Sequence, residues 1–335
     1  MGETTSIPGS MKAWRVTRHG EPADVLELHD VDVPTPGAGE VLVRVAAVAV
    51  NFPDVLLARG EYQERPEMPF IPGIELVGEV VALGPDVTDH AVGDRVVATK
   101  IGVLAQYATV PAVAAHLSPV SLDDEHAAGL SIAYQTAWFA LHRRARLQAG
   151  ETLLVHAAAG GVGTAAVQLG VAAGARVIGV VGSAEKADVV AAAGAERVVV
   201  RGDEDVAAVV NELTGRRGAD VVFDPVGGES FEKSTKCIAF EGRIVVVGFA
   251  GGVVPEVRAN HALVKNYSVL GLHWALYQLR RPDLVREAHA DLERLAAAGS
   301  ITPVVGGTVP FERAPEAIQE LAGGRTVGRL VIRVG

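Results

Sequence analysis

The segment from Leu153 to Thr164 constrains the fold more strongly than any other part of the sequence. Within it, an apolar run leads into a turn of small residues and then into the start of an Ala-rich helical pattern. Small residues at this spacing let backbone N–H groups approach a pyrophosphate, and the positive end of the following helix stabilises that anion. The segment predicts a dinucleotide-binding turn in a βαβ unit, with close helix–strand packing alone as the other interpretation. The predicted cofactor-binding residues of this turn are Ala158, Gly160, Gly161, Val162 and Gly163.

From Glu151 onwards, apolar strands alternate with Ala-rich helical segments. Continuous Val/Ile runs separated by helices are typical of strands buried on both faces, so this half predicts a doubly wound parallel sheet. The expected helices begin near Gly163, Glu185, Asp203, Glu229 and Asp283. The predicted strands are Thr152–His156, Ala175–Val181, Arg197–Val200, Asp220–Asp224, Arg243–Gly248 and Ser268–Leu270.

The residues on either side of this α/β unit follow a different pattern. Between Lys12 and about Gly129 the segments are short, β-branched and interrupted by Gly and Pro, which predicts an irregular β domain. The same pattern returns after Thr302, so we expect the last strand to complete that domain. The predicted boundaries are a β-rich catalytic domain at 11–133 completed by 275–335, an α/β domain at 134–274, and a flexible leader at 1–10.

Composition and charge exclude several classes of protein. The net charge of −10 argues against binding to nucleic acid or to anionic membranes, because both need a basic surface. No stretch reaches the roughly 18 apolar residues that a membrane helix needs. The single cysteine, Cys237, excludes an intramolecular disulfide framework, and a cytoplasmic location is expected. Gly2 and Ser6 match a myristoylation pattern, but so short a pattern arises by chance, and we expect no function for the leader.

The residues after the second predicted strand of the α/β unit indicate which dinucleotide is bound. An NAD site would place Asp or Glu there to bind the ribose 2′-hydroxyl, but this chain has Gly182 and Ser183. Lys186 follows closely, and Arg201 stands at the end of the third strand. A hydroxyl and two cations can hold a 2′-phosphate, so the sequence favours NADPH. The other interpretation is that both cations are solvated surface charges.

Further segments resemble those of the medium-chain dehydrogenase/reductase superfamily, and of its zinc-free quinone oxidoreductase branch in particular. The resemblance runs from about Lys12 to Val334. It implies a GroES-like β domain, a Rossmann domain, NADPH between them, and a homodimer or homotetramer. The segments that carry it are Val50-Asn-Phe-Pro-Asp-Val-Leu, Arg59-Gly-Glu-Tyr, Pro72-Gly-Ile-Glu-Leu-Val-Gly, Val92-Gly-Asp-Arg-Val, Ala133-Tyr-Gln-Thr-Ala and Asp224-Pro-Val-Gly-Gly.

The resemblance also implies roles for individual residues. The Asn of this branch lies near the nicotinamide, which implies Asn51 as a hydrogen-bond donor to the acceptor's carbonyl oxygen. The Tyr that lines the substrate site in relatives corresponds to Tyr62, which is implied as the proton donor, with packing at the rim as the alternative. By position, the other implied cofactor contacts are Tyr134, Thr136, Phe249 and Asn266, each with a turn or packing role as the alternative.

We expect no catalytic metal. Zinc alcohol dehydrogenases of the superfamily have a metal-binding Cys where this chain has Asn51, and a His where it has Ile74. Isoleucine has no donor atom, and an amide is a poor zinc ligand compared with thiolate or imidazole. Oxidation of an unactivated alcohol is therefore disfavoured, because no Lewis acid would polarise the substrate.

A hydride donor without a metal needs an acceptor that is already electrophilic. The sequence therefore predicts NADPH-dependent, metal-independent hydride transfer to quinones or similar conjugated carbonyl compounds. Relatives often have a second Tyr at the position of Leu56, so the acceptor itself stays open. The alternatives are an enoyl-thioester or enone (2-alkenal) reductase and a catalytically silent NADPH-binding structural or regulatory protein.

Overall fold

A computed structural model describes residues 7–335 of the chain. They form two compact units: the described residues up to Ser131 together with Val305–Gly335, and Ile132–Val304. Residues 275–304, which the sequence assigned to the β-rich domain, group with the second unit instead. Hydrogen bonds hold them there, from Trp138 Nε1 to Asp291 and from Gln168 Nε2 to the Thr302 carbonyl. Most of the predicted leader, including Gly2 and Ser6, lies outside the described residues, and the first strand begins at Ser10.

The elements alternate as the sequence patterns require. The strands of the described chain are β1 (Ser10–Val16), β2 (Leu26–Asp32), β3 (Glu40–Ala49), β4 (Glu75–Leu83), β5 (Arg95–Thr99), β6 (Tyr107–Pro111), β7 (Ala115–Leu117), β8 (Thr152–Val155), β9 (Arg176–Val181), β10 (Arg197–Val200), β11 (Ala219–Asp224), β12 (Ile238–Val246), β13 (Ser268–Gly271), β14 (Val305–Pro310) and β15 (Arg329–Arg333). The α-helices are α1 (Pro22–Val25), α2 (Phe52–Arg59), α3 (Asp124–Ala128), α4 (Ser131–Trp138), α5 (Gly161–Ala172), α6 (Ala187–Ala192), α7 (Val206–Leu213), α8 (Gly228–Cys237), α9 (Ala259–Lys265), α10 (Trp274–Arg280), α11 (Pro282–Ala297) and α12 (Ala314–Ala322).

The first unit is built around a seven-stranded, mostly antiparallel sheet. The strands follow the order β14-β15-β3-β4-β5-β7, and β6 pairs with β3 beyond that path. β3 is largely buried, because its Val and Ala residues contact neighbours on both faces. α2 follows β3 directly in the chain, and this places residues 51–59 beside the end of the sheet. β15, from the far end of the chain, pairs antiparallel with β3.

The second unit contains a six-stranded parallel sheet in the order β10-β9-β8-β11-β12-β13. This order reverses between β8 and β11, the first and fourth strands of the sheet, as in the Rossmann fold. Ligands of such sheets bind at the carboxyl ends of the strands beside this reversal. The predicted fold class, a GroES-like β-rich domain plus a Rossmann-type parallel sheet, is confirmed. None of the helices in residues 7–335 has the length and apolarity to span a bilayer.

The observed strands of the parallel sheet match the predicted ones closely, except for β12. Predicted from Arg243, β12 begins at Ile238, because Ile238 pairs with Ala219 before the register shifts and Arg243 pairs with Val221. The sequence pattern did not predict α9 or α10. Both helices are short and lack a fully buried residue, so they show no clear apolar periodicity.

Candidate active site

The glycine-rich turn, residues 156–163, joins β8 to α5 as predicted, with Gly160 as the residue before the helix. Its geometry explains why residue 163 is glycine. A Cβ atom there would lie 2.1 Å from the Ala157 carbonyl oxygen and 2.8 Å from the Ala158 Cα. Ala157 itself has a φ of +48°, so the backbone folds back on itself at this point. The turn therefore brings the start of α5 close to the end of β8.

Gly160, Gly161 and Val162 form the partly exposed face of this turn. A Cβ on Gly160 would meet nothing closer than the Ala157 carbonyl oxygen at 3.4 Å, so the space beside it is open. The first backbone N–H groups of an α-helix have no acceptor within the helix, and Gly160 has no side chain to supply one. These amides can bind an anion such as a pyrophosphate.

Ala158 and Gly163 have a packing role in the turn, and their predicted cofactor contacts stay predictions. Both are buried, and the Ala158 N–H donates to the Val180 carbonyl at 2.9 Å. A Cβ on Gly179 would lie 3.1 Å from the Ala158 Cβ, so β9 passes close to the turn. Their small size allows the turn to form.

The predicted 2′-phosphate residues lie together at the end of β9. Arg201 is exposed, and its backbone N–H donates to the Val181 carbonyl at 2.9 Å. Its Nη2 atom lies 4.0 Å from where a Cβ on Gly182 would be, so the guanidinium is beside that glycine. Ser183 and Lys186 follow in a half-buried turn, and Lys186 interacts with other parts of the protein. Arg201 is thus the exposed cation next to Gly182.

His156, at the end of β8, is a buried structural histidine. Its Nε2 lies 2.8 Å from Ser234 Oγ, whose hydroxyl donates to the Ser230 carbonyl. Ser234 Oγ therefore accepts a hydrogen bond from the imidazole. Burial lowers the pKa of His156 to about 4, despite the opposing effect of the nearby Asp224 carboxylate. The ring is therefore neutral at physiological pH, and Ser234 engages its Nε2.

Tyr134 and Asn266 both make hydrogen bonds inside the second unit, and their predicted cofactor contacts stay predictions. Tyr134 is buried in α4, and its hydroxyl donates to Gln168 Oε1 at 2.7 Å, which fixes α4 against α5. Asn266 comes directly before β13, at the amino edge of the parallel sheet, and its carbonyl accepts from the Glu241 N–H. The glycine-rich turn and Arg201 lie at the opposite, carboxyl edge. Asn266 therefore lies at the edge of the sheet opposite to the glycine-rich turn.

Thr136 and Phe249 are placed differently from one another. Thr136 is buried in α4, whereas Phe249 is 43% exposed just beyond the carboxyl end of β12. A Cβ on Gly227 would lie 3.2 Å from the Phe249 ring, so the ring covers the turn after β11. Phe249 is thus on the same edge of the sheet as the glycine-rich turn, where a nicotinamide ring would need an apolar wall.

In the first unit, Asn51 precedes α2 and is almost fully buried. Its side-chain nitrogen donates to the Ala49 carbonyl and to Glu75 Oε2, each at 3.0 Å. An amide nitrogen has only two hydrogens, and both partners are acceptors, so the orientation of the amide is fixed. Both amide hydrogens are engaged within the unit, and the donor role implied for Asn51 stays a prediction. Asn51 and Asp54 together form a capping box at the start of α2.

Glu75 and Arg329 form a buried ion pair beside Asn51. The Arg329 Nη2 donates to the same Glu75 Oε2 atom that accepts from Asn51. No sequence pattern pointed to this pair. Glu75 stood in a family segment, and Arg329 is the buried one of the two arginines that flank the apolar centre of β15. Burying an unpaired charge in such a strand is costly, so the position of Arg329 could have indicated that it has a buried acidic partner.

Asp54 lies in the first turn of α2 and caps the helix. Its Oδ2 accepts from the Asn51 backbone N–H at 2.7 Å, while Oδ1 is buried and has no hydrogen-bond partner in the described chain. Burial raises the pKa of Asp54 to about 7, although the Asn51 hydrogen bond and the charge of Arg329 oppose the shift. The carboxyl therefore changes its charge near neutral pH.

Tyr62 is half-buried just after α2. The helix ends at Gly60, whose φ of +74° turns the chain, and a Cβ there would lie 2.7 Å from the His19 ring. Burial raises the pKa of Tyr62, and the negative charges of Glu64 and Asp54 add to the shift. The phenol stays protonated at neutral pH and is available as a hydrogen-bond donor.

The residues near Asn51 do not resemble a zinc site in their chemistry. Ile74 offers only hydrocarbon, and both hydrogens of the Asn51 amide are engaged by protein acceptors. Across residues 7–335, no cluster of three or more His, Cys, Asp or Glu side chains is arranged to hold a metal ion.

Comparisons with known proteins agree with this architecture. Residues 37–120 match the family described as "Alcohol dehydrogenase GroES-like domain", and residues 161–290 match "Zinc-binding dehydrogenase". The chain is 38% identical to the quinone oxidoreductase-like protein 2 homolog of Nematostella vectensis, over 97% of this chain and 90% of that protein.

A solved structure and a multidomain enzyme extend the comparison. The Escherichia coli quinone oxidoreductase, crystallised with NADPH, superimposes with a TM-score of 0.89 at 30% identity, over 96% of this chain and 100% of that one. The phthioceranic/hydroxyphthioceranic acid synthase of Mycobacterium tuberculosis is 33% identical over 89% of this chain, which corresponds to 14% of the synthase. The chain therefore belongs to the medium-chain dehydrogenase/reductase superfamily and is an oxidoreductase of its quinone oxidoreductase branch.

Proposed function

We propose that the chain binds NADPH and catalyses metal-independent hydride transfer to quinones or similar conjugated carbonyl compounds. The observation that carries this proposal is the exposed Arg201 guanidinium beside Gly182, on the strand next to the one that leads into the first helix amides, Gly161 and Val162. A pyrophosphate on those amides would put the adenosine ribose near Arg201. The NADPH complex of the Escherichia coli relative supports the same cofactor.

The choice of acceptor follows from the side chains that the first unit offers. Bound NADPH would supply a hydride, so the acceptor must stabilise the electron pair that this hydride displaces. In a quinone or an enone that charge develops on a carbonyl oxygen, which needs a hydrogen-bond donor and then a proton. Tyr62 supplies such a donor, because its raised pKa keeps the phenol protonated. Isoleucine at position 74 supports the metal independence, because it cannot ligate zinc.

The proposal is tested by measuring binding and turnover separately. NADPH binding is followed by fluorescence titration, and turnover with 1,4-benzoquinone is followed in the presence of EDTA. We expect binding with a preference for NADPH over NADH, and turnover that EDTA leaves unchanged. Turnover that requires added zinc would overturn metal independence, and failure to bind NADPH would overturn the whole proposal.

An enoyl-thioester or enone reductase is the second candidate. The similarity of nearly the whole chain to one segment of a Mycobacterium tuberculosis acid synthase favours it. Both reactions reduce a conjugated acceptor, so they differ in the substrate and not in the hydride donor. A higher kcat/KM for crotonyl-CoA than for 1,4-benzoquinone would make the thioester reductase the better assignment. NADPH binding without turnover of either acceptor would favour the catalytically silent protein.

We also propose that the chain forms a homodimer through β13. This strand is at the edge of the parallel sheet, and Leu263 and Val264 on the neighbouring α9 are 77% and 78% exposed. Unpaired strand edges and exposed apolar side chains favour association with a second copy. Light scattering of the wild type and of Val264→Glu tests this, with a dimer expected for the first and a monomer for the second. A monomeric wild type would refute the proposal.

A further inference from the structure

We propose that a cluster of five exposed arginines at the amino edge of the parallel sheet is a docking surface for an acidic peptide segment of a partner protein. This arginine patch lies wholly within the second unit and comprises Arg143, Arg144, Arg146, Arg216 and Arg217. Within residues 7–335, no ion pair or side-chain hydrogen bond neutralises any of the five. The chain has a net charge of −10, so five unneutralised cations in two short segments are a local exception. The inference does not depend on NADPH.

A single guanidinium joins the two segments of the patch. Arg243 donates from Nε to the Ala145 carbonyl at 2.8 Å and from Nη1 to the Asp220 carbonyl at 3.3 Å. The segment 143–146 therefore ends beside the start of β11, and the segment 216–217 comes just before that strand. The patch is thus one surface, and it lies at the edge of the sheet opposite to the glycine-rich turn.

The carboxylate beside the patch already has a partner. Glu151 accepts hydrogen bonds from both Nη atoms of Arg243, at 2.8 and 2.9 Å, so its charge is neutralised by that residue and not by the patch. Two exposed acids, Glu212 and Glu241, lie on the same edge of the sheet, and neither pairs with a member of the patch. The patch therefore keeps a net positive charge, which the carboxylates of a partner can complement.

Two members of the patch have a backbone conformation that glycine would adopt more easily. The φ of Arg146 is +51° and that of Arg216 is +66°, both in the left-handed region. A residue with a Cβ atom has a steric cost there that glycine avoids. Both side chains are exposed and unpaired in the part of the chain that the structure describes, so no intramolecular contact offsets this cost. A contact with another molecule would explain why arginine stands at both positions.

The chemistry of the patch favours carboxylates on a short segment over a nucleic acid. A carboxylate accepts two parallel N–H groups of one guanidinium, and a phosphate can do the same. A long phosphate chain, however, would also be repelled by the net negative charge of the rest of the protein. Surfaces that bind single-stranded nucleic acid also stack bases on aromatic rings, and the described residues of this edge offer one exposed ring, Phe240. A peptide short enough to remain on the patch avoids the repulsion.

The test measures the binding of a labelled peptide of repeated Glu-Glu-Ser units to the full chain, by fluorescence anisotropy at low salt. Arg146→Gly with Arg216→Gly removes two charges where glycine is conformationally favoured, so its Tm should equal or exceed that of the wild type. Arg146→Lys with Arg216→Lys keeps both charges. The matched control is Arg258→Ala with Arg280→Ala, which removes two exposed arginines beyond the carboxyl ends of β12 and β13.

We expect the wild type to bind the peptide with an affinity that falls as salt is added, and the glycine variant to bind it about tenfold more weakly. The lysine variant and the control should keep most of the affinity. If the glycine variant does not fold, Arg143→Ala with Arg144→Ala takes its place and should show the same loss.

Three results would overturn the proposal. The first is a wild type that does not bind the peptide, and the second is a glycine variant that binds it as the wild type does. The third is an equal loss in the control, because only the net charge would then matter. Tighter binding of an oligothymidylate than of the peptide would overturn the choice of partner and assign the patch to nucleic acid.

Discussion

Two glycines of the same turn, Gly160 and Gly163, are expected to respond in opposite ways to replacement by alanine. At position 163 the added methyl would lie 2.1 Å from the Ala157 carbonyl oxygen, whereas Cβ atoms essentially never approach closer than 3.0 Å. The turn would have to open by roughly 1 Å, and strain of this kind in a packed region costs about 3 kcal/mol. For the second unit, residues 132–304, that corresponds to a fall in Tm of roughly 6–12 °C.

At position 160 the same substitution is conformationally acceptable. The φ of Gly160 is −78°, and the nearest atom to an added Cβ is the Ala157 carbonyl oxygen at 3.4 Å. A Gly-to-Ala change at a compatible site stabilises a protein by about 0.4–1 kcal/mol, because it restricts the unfolded chain. The methyl would, however, stand where a pyrophosphate must approach the helix amides. We therefore expect an unchanged or slightly raised Tm and a Kd for NADPH at least tenfold higher.

Differential scanning calorimetry and NADPH fluorescence titration on the two variants separate these effects. Gly160→Ala is compared directly with the wild type, because both proteins keep the packing contacts beneath the turn. If Gly160→Ala binds NADPH as the wild type does, the pyrophosphate does not lie against this helix end. If Gly163→Ala keeps the wild-type Tm, the close approach to Ala157 does not constrain the turn.

Three further substitutions test the electrostatic arguments. Arg201→Ala should raise the Kd of NADPH about tenfold and leave that of NADH unchanged, and equal losses would exclude a 2′-phosphate contact. Tyr62→Phe should lower kcat with an enone about a hundredfold and change KM little; an unaltered kcat/KM would remove Tyr62 from the reaction. The folded-state pKa of Asp54, about 7, lies above the usual 3.8, so its favourable contribution to stability is complete below pH 3.8 and is lost as the pH rises through 7. Asp54→Asn should therefore gain Tm relative to the wild type as the pH rises from about 4 to about 7, and parallel pH profiles would contradict this.

Local patterns predicted most of the parallel sheet. Strands that are buried on both faces can be recognised in the sequence as continuous Val/Ile runs. The small residues in the turn after β8 have a spacing that few other structures require. β12 was the exception, since its first residues pair with β11 in a different register from the rest. That register depends on the neighbouring strand and cannot be predicted from the β12 segment alone.

The site was less predictable because its residues meet through distant contacts. The orientation of the Asn51 amide depends on Glu75 and Arg329, and the two partners of that ion pair are 254 positions apart. The position of Asn266 was inferred from a family segment, but only the strand direction reveals that it precedes β13 at the amino edge. Likewise, the role of Tyr134 depends on Gln168, which lies one helix away. Sequence spacing alone carries none of this information.

The contact between Arg329 and Glu75 also has a consequence for biosynthesis. During translation, β4 leaves the ribosome long before β15 exists, so the Glu75 carboxylate has no countercharge while the intervening second unit is being made. The first unit can close around that charge only after the final strand has been added to the sheet. Nascent chains that stop after the second unit would expose an unfinished sheet edge at β3, and these are the species that chaperones and proteases would meet.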